Sequence, residues 1–474
     1  MKYLFSSLAL CICLCANCQN RDTSYADGLR IIDVWLDAQK DFEKVPGLAV
    51  AVVSDQTIVF SKGYGYADVE NKVLMAPETM FSICSISKLF TSVAIMQLWE
   101  QGKLRLDDSL ATVLPSYNLK QQFSETVPVT IRSLLTHSSG LPREAAFAYW
   151  SAPDFYFPSL KEMNEKLKTQ ETLYPSSSLF QYSNLGMSLL GETVSSISGL
   201  PYETYIQRNI LGPLKLTSTF TTLPRNLWRS KLATGYSALY RDGTRKMMPF
   251  FQANGIAAAA GYSSTVQDLA KFASWQFRLL NSTSNEVLRP STLKEMQRVH
   301  WVNPDGKLTW GLGFSVFQQG STTYVGHGGS CPGYRSSLML APKTKLGVAM
   351  MINAQGTDPE KYISGIMELL AKSKETTDTS TRKVNLEAYT GSYDNYTWGG
   401  EAVVLPWKGQ LAVFTVPSDN PAATMQLFKY MGKDSFRKVR KDDPLLGEEL
   451  RFERDANGKV IRFLHHDNFK MKLK

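Results

Sequence analysis

Cysteine and histidine are scarce in this chain, and that scarcity narrows its chemistry. Six cysteines occur in 474 residues. Four of them fall within the first 18 positions, so the body of the chain keeps only Cys84 and Cys331, too few for a disulfide framework. The five histidines are His137, His300, His327, His465 and His466. His300, His465 and His466 lack the spaced Cys, His or carboxylate partners of a metal site, and neither a metal nor a cofactor is expected. Long apolar runs are missing too. The run at residues 4–14 follows Lys2 and leads into small residues around Ala16, which is the layout of an export leader and too short for a stable anchor. Residues 1–18 are therefore read as a signal peptide, with cleavage after Cys18 or, as an open alternative, a lipid anchor on Cys18. A formal charge of +9 comes without long basic runs or interleaved aromatics, so nucleic acid is not expected as a partner and the excess is read as surface charge.

What is present is three short clusters in one order: Ser85-Ile86-Ser87-Lys88, Tyr182-Ser183-Asn184 and His327-Gly328-Gly329-Ser330. Together they offer a nucleophile, two proton-transfer groups and a backbone oxyanion site, the parts an acyl-transfer enzyme needs. No cluster is decisive by itself. S-x-x-K recurs at Ser291/Lys294, Ser380/Lys383 and Ser435/Lys438, and Y-x-N at Tyr393/Asn395. Context separates the copies. Ser85 opens a long apolar segment ending near Gly102, so Ser85 and Lys88 share one face at the first turn of a buried helix. Burial lowers a lysine's pKa, and a neutral Lys88 is able to take the Ser85 proton. The plainer alternative has Ser85 capping a core helix and Lys88 reaching to solvent. Tyr182 and Asn184 fall at a loop-to-helix corner, where polar tips project into clefts, although a tyrosine before an apolar run also serves packing. The glycines of the third cluster lie between strand-like segments and bring backbone close to a ligand.

The ordered clusters, with Leu134 to Leu141, Ala260 to Thr265, Trp310-Gly311-Leu312-Gly313 and Pro332-Gly333-Tyr334 in register, resemble the serine β-lactamase and penicillin-binding protein superfamily, in particular its class C β-lactamase-like branch. The resemblance implies Ser85 as the acylated nucleophile, Lys88 as general base, Tyr182 as second proton-transfer group, and Asn184, His327 and Gly329 as substrate contacts. Backbone N–H groups of Ser85 and Ser330 would form the oxyanion hole. The chain departs from that pattern where β-lactam-binding relatives carry lysine followed by threonine or serine, since His327 and Gly328 stand there. This form looks more like the family's esterases and peptidases. His137 is read as structural, because Lys88 and Tyr182 already fill the base role.

The expected architecture is α+β. Strands at 48–53 and 57–62 would pair with later strands at 334–340 and 346–352 in an antiparallel sheet, helical segments between about 104 and 316 would form the other half, and the cleft would lie between. The hydrolase part is placed at 26–371, a polar linker at 372–385 and a small lipocalin-like β-barrel at 386–474. Every catalytic motif precedes the linker, so the first part is expected to fold alone. Cys84 and Cys331 flank two of the clusters; a bridge is left open, with two free thiols the favoured state. The expected function is an exported serine hydrolase acting on an ester or a small amide such as a D-amino-acid peptide bond. A β-lactamase or DD-peptidase and a non-catalytic envelope binding protein are the alternatives. The oligomeric state is not legible.

Overall fold

A computed structural model describes residues 23–123, 125–374, 384–394, 397 and 399–473. The expected leader at 1–18 and most of the expected linker, 375–383, lie outside the described residues. The first sheet is antiparallel. Its strands are β1 (Gly47–Ser54), β2 (Thr57–Asp68), β3 (Val73–Leu74), β4 (Trp301–Val302), β5 (Thr309–Trp310), β6 (Ser315–Gln319), β7 (Thr322–Cys331), β8 (Tyr334–Ala341) and β9 (Leu346–Ile352). They run in the order β3-β2-β1-β9-β8-β7-β6-β5-β4. The two ends of the domain meet at the β1–β9 pair, where Leu48 faces Ile352 and Val53 faces Gly347. Strands β1 and β9 are apolar and buried along almost their whole length because both faces of the sheet are covered. One face carries helix α1 (Ala26–Phe42), whose Ile31, Ile32, Trp35 and Leu36 form a buried stripe. The other faces α2 (Ser87–Glu100), α3 (Asn184–Ser198) and α4 (Val266–Leu280). A further helix, α5 (Pro359–Lys374), joins α1. Strands β4 to β6 fall in a region the sequence suggests is helical; they are short, and most of their residues are not fully buried, so no clean period marks them.

Eight more strands, β10 (Gly391–Asp394), β11 (Glu401–Trp407), β12 (Gln410–Val416), β13 (Gln426–Gly432), β14 (Ser435–Lys438), β15 (Glu449–Arg454), β16 (Val460–His465) and β17 (Asn468–Met471), pair in sequence order. The ladder closes through a Tyr393–Lys472 bridge and a Leu473 N–H to Ser392 O hydrogen bond of 2.7 Å. The interior is filled by Tyr389, Tyr393, Phe428, Phe436, Phe452 and Phe463. This barrel is a packed core rather than a container.

The barrel does not stand apart from the rest. Val403, Leu405, Trp407 and Phe414 belong to the same apolar cluster as Trp35, Tyr362, Ile363 and Ile366 of α1 and α5. Polar contacts stitch the seam. Trp35 Nε1 donates to Ser418 O at 2.8 Å, and Arg30 grips Glu387 through two bonds of 2.5 and 2.7 Å. The expectation of a hydrolase part able to fold alone therefore meets a large shared core.

Candidate active site

Ser85 sits in a single 3-10 turn, Cys84–Ile86, immediately before α2. Helix α2 is buried on all sides from Ser87 to Leu98, which is why its sequence is apolar throughout rather than striped. Lys88, one residue into that helix, has no exposed surface. Its Nζ lies 3.1 Å from Ser85 Oγ, 2.8 Å from Asn184 Oδ1 and 2.8 Å from Ala259 O. A neutral amine has two N–H donors and one lone pair. In that neutral form the two carbonyl acceptors would take the donors and leave the lone pair for the Ser85 hydroxyl. Burial holds the Lys88 pKa well below the usual lysine range; Glu144 pulls it up and Arg143 pushes it down, both less strongly. Solvent-directed Lys88, the plainer alternative, is not what the chain adopts.

Tyr182 precedes the N-cap of α3. The Ser183 side chain accepts the Gly186 N–H at 2.8 Å and donates to Pro142 O at 2.7 Å, so the corner is fixed from both sides. His137 adds a second brace: its carbonyl accepts the Gln181 N–H at 2.7 Å and its Nδ1 accepts the Ser183 N–H at 3.2 Å. The His137 ring also lies against the Tyr182 ring, with centroids 4.2 Å apart. Burial keeps His137 neutral, and it works as a positioning residue. The Tyr182 hydroxyl bonds Ser85, and burial raises its pKa above the ordinary phenol value. Tyr182 thus rests as a phenol that is able to give a proton.

The third cluster is not a turn. His327 to Ser330 continue β7, which ends at Cys331. Strand β6 pairs with β7 only as far as Gly326, so beyond that point this edge carries no β6 partner and borders the cleft. A side chain at Gly329 would bring its Cβ within 2.2 Å of Ser336 Oγ and 2.4 Å of Ile83 O, so glycine is what lets β7 lie against the segment leading into the Ser85 turn. His327 is buried, with Nδ1 2.5 Å from Gly328 O, which assigns the ring proton to Nδ1. Burial, with the Lys88 charge second, pushes its pKa down to about 3, so it carries no charge at neutral pH. Ser330 is exposed at the cleft, beside the bridge that follows it.

That bridge corrects the expectation of free thiols. Cys84 and Cys331 form a disulfide with a Cα separation of 5.7 Å across 247 residues of sequence. It joins the residue before Ser85 to the residue after Ser330. Cys84 itself has φ +52°, a backbone region L-residues with side chains seldom occupy.

Two neighbours escaped the sequence reading. Glu144 accepts both bonds from Asn184 Nδ2, at 2.8 and 3.0 Å, and a bond from the Tyr149 hydroxyl. It thereby fixes the amide with Oδ1 toward Lys88. Arg143 lies over the Tyr182 ring at 4.9 Å and pairs with Glu144 at 3.2 Å. The only available signal was a charged pair just after the Leu134 to Leu141 segment. Ser85, Arg143 and Ser330 stand between two hollows. One, of about 480 Å³, is walled by Trp150, Phe155, Tyr240 and Met248. The other, of about 460 Å³, holds Trp310, His327, Arg335 and Glu360. The other S-x-x-K copies at Ser291 and Ser435 lie in a short surface helix and in β14, and Tyr393 bonds Tyr389 O in the barrel core; Ser380, Lys383 and Asn395 lie outside the described residues. Among the described residues no group of His, Cys, Asp and Glu is placed to hold a metal ion.

Known proteins share this frame. Beta-lactamase-like protein 2 of Dictyostelium discoideum is 25% identical over 381 residues, covering 74% of this chain and 68% of its own. Protein flp of Staphylococcus aureus strain MW2 is 26% identical over 352 residues, 73% of this chain and 66% of its own. The chain thus spans about two thirds of these relatives. Among solved structures, the octameric penicillin-binding protein homologue from Pyrococcus abyssi superposes with a TM-score of 0.63 at 25% identity, over 94% of this chain and all of that one. SurE, at 22% identity and a TM-score of 0.59, shares the fold over 94% of this chain and 99% of its own. The Beta-lactamase family model matches residues 35–370, which hold every residue of the cleft, and the chain belongs to that family.

Proposed function

We propose that this protein is an exported serine hydrolase of the class C-like, esterase or peptidase type, forming an acyl-enzyme at Ser85. The observation that carries the reading is the buried Lys88 amine, within hydrogen-bond distance of Ser85 Oγ and held on its other sides by Asn184 Oδ1 and Ala259 O. Lys88 takes the Ser85 proton as Oγ attacks the substrate carbonyl. The N–H groups of Ser85 and Ser330 receive the developing oxyanion, and Tyr182 gives its proton to the leaving group and regains one from the Lys88 ammonium, so that both groups return to their resting forms. Water then repeats the cycle on the acyl-enzyme. The leader at residues 1–18 supports export, to the periplasm or cell envelope. Neutral His327 disfavours β-lactam carboxylates, so esters and small amides are the preferred substrates.

A second reading rests on one side chain. Arg335 lines the cleft and pairs with Asp358 at 3.0 Å, with its Nε buried and unpartnered. It offers a carboxylate-bearing substrate the cation that His327 does not. A fluorophosphonate probe followed by intact-mass and peptide mapping is the test. Labelling is expected on Ser85 and lost in Ser85→Ala; a folded protein labelled elsewhere, or not at all, rejects the assignment. Chromogenic esters should turn over faster than a chromogenic cephalosporin, and the reverse order would favour the Arg335 reading.

A further inference from the structure

The basic excess of this chain is not spread evenly. Arg437 and Lys438 at the end of β14 and Arg440 and Lys441 just after it converge with Lys372 from the last turn of α5 and Lys408 from the β11–β12 turn around one cavity of about 1060 Å³. The sequence shows four basic residues in five positions at 437–441, but only the fold adds the other two. Against these six cations the lining offers two carboxylates, Asp442 and Glu448. Local pairing does not cancel the excess. Lys438 reaches Glu448 at 3.8 Å, and Arg440 is shared between Asp442 and Asp443 at 3.1 and 3.5 Å. Lys372 pairs with Glu368 at 3.2 Å. The Arg437 guanidinium braces the Gly447 and Leu446 carbonyls, at 2.6 and 3.5 Å, and has no carboxylate partner among the described residues. Lys441 is exposed, and no ion pair is formed by it among the described residues. One sign of charge around a concave wall focuses the field and draws in counter-charge.

Part of the wall beneath is apolar. Trp407 and Met425, each less than a tenth exposed, sit with Leu427 and Val439 under the cationic rim. An apolar patch below a ring of ammonium and guanidinium groups matches an amphiphile whose head is anionic. The cavity involves no residue of the Ser85 cleft. We propose that this seam between α5 and the barrel binds a single anionic amphiphile, an acyl chain ending in a carboxylate or a phosphate. The ligand lies outside the filled barrel and touches both the hydrolase part and the barrel.

The test uses full-length Ser85→Ala protein, so that no ligand is consumed. Isothermal titration is run with octanoate, dodecanoate and hexadecanoate, with lysophosphatidate, with inorganic phosphate, and with phosphatidylglycerol vesicles. Affinity is expected to rise at least tenfold from octanoate to hexadecanoate and to exceed that for inorganic phosphate by at least a hundredfold. The double variant Lys438→Glu/Lys441→Glu should weaken binding at least tenfold with an unchanged melting temperature, while Lys441→Arg keeps it. Dodecanoate and lysophosphatidate separate a carboxylate from a phosphate head, and binding of either supports the proposal. Equal binding by the charge-reversed variant, affinity independent of chain length, or binding to vesicles without binding to monomers would each overturn it.

Discussion

Burial lowers the Lys88 pKa, and its two charged neighbours set how far. Glu144 favours the ammonium and Arg143 opposes it, burial dominating both. As the proposed base Lys88 is competent only above its pKa, so acylation should fall as pH drops through that value. The histidines of the cleft are excluded as the source of a limb near neutrality, since burial takes His327 down to about 3 and His137 well below the usual imidazole range. Removing the carboxylate in Glu144→Gln takes away the interaction that raises the Lys88 pKa and should move the acid limb of kcat/KM to lower pH. Arg143→Ala removes a repulsion and should move it to higher pH. Profiles from pH 4 to 10 with one ester check both signs; shifts in the same direction would sink the assignment of the limb to Lys88. Lys88→Ala should cost about 10²–10⁴ in acylation, the usual worth of a positioned base.

At the scale of elements, the cleft is where a buried helix start, a capped corner and the free edge of a strand meet. The cluster order made these three legible, because each residue type has a steep local requirement: a serine and lysine on one face, a polar tip at an N-cap, a glycine where strands touch. Glu144 was not legible, since its role comes from a loop that only the tertiary fold brings to Asn184. The same holds for the bridge. Cys84 and Cys331 are 247 positions apart, and sequence carries no distance between such positions. Its placement suggests a clamp, because it ties the turn holding the Ser85 N–H to the strand holding the Ser330 N–H. Cys331→Ala should therefore reduce acylation by about 10–100-fold, part of the 10²–10³ an oxyanion donor is worth. It should also cost about 2–4 kcal/mol of stability. Probe-labelling rates and denaturant titration read the two effects separately; stability lost with an unchanged labelling rate would leave the bridge a staple only.

Across the whole molecule, the alternating strands beyond residue 400 announced a barrel, but not what the barrel leans on. Its outer face, with Val403, Leu405, Trp407 and Phe414, is apolar because α1 and α5 cover it. Alternation alone does not say whether an outward apolar position faces solvent or a partner element. The consequence is a changed expectation for truncation. Removing residues 384–474 would uncover this face of α1 and α5 and cut the Trp35–Ser418 and Arg30–Glu387 contacts. Each large apolar side chain returned to water costs about 1.5–3 kcal/mol, and a whole domain holds only about 5–15. The truncated chain should therefore aggregate or melt at least 15 °C lower than the full chain, although every residue of the cleft is retained. Replacing the exposed apolar positions of α1 and α5 with polar residues in the truncated chain should recover a soluble domain that labels at Ser85. Circular dichroism melts and probe labelling of the two truncations decide it, and a simple truncation that stays monodisperse with an unshifted melt would show that the shared core contributes little to holding the cleft together.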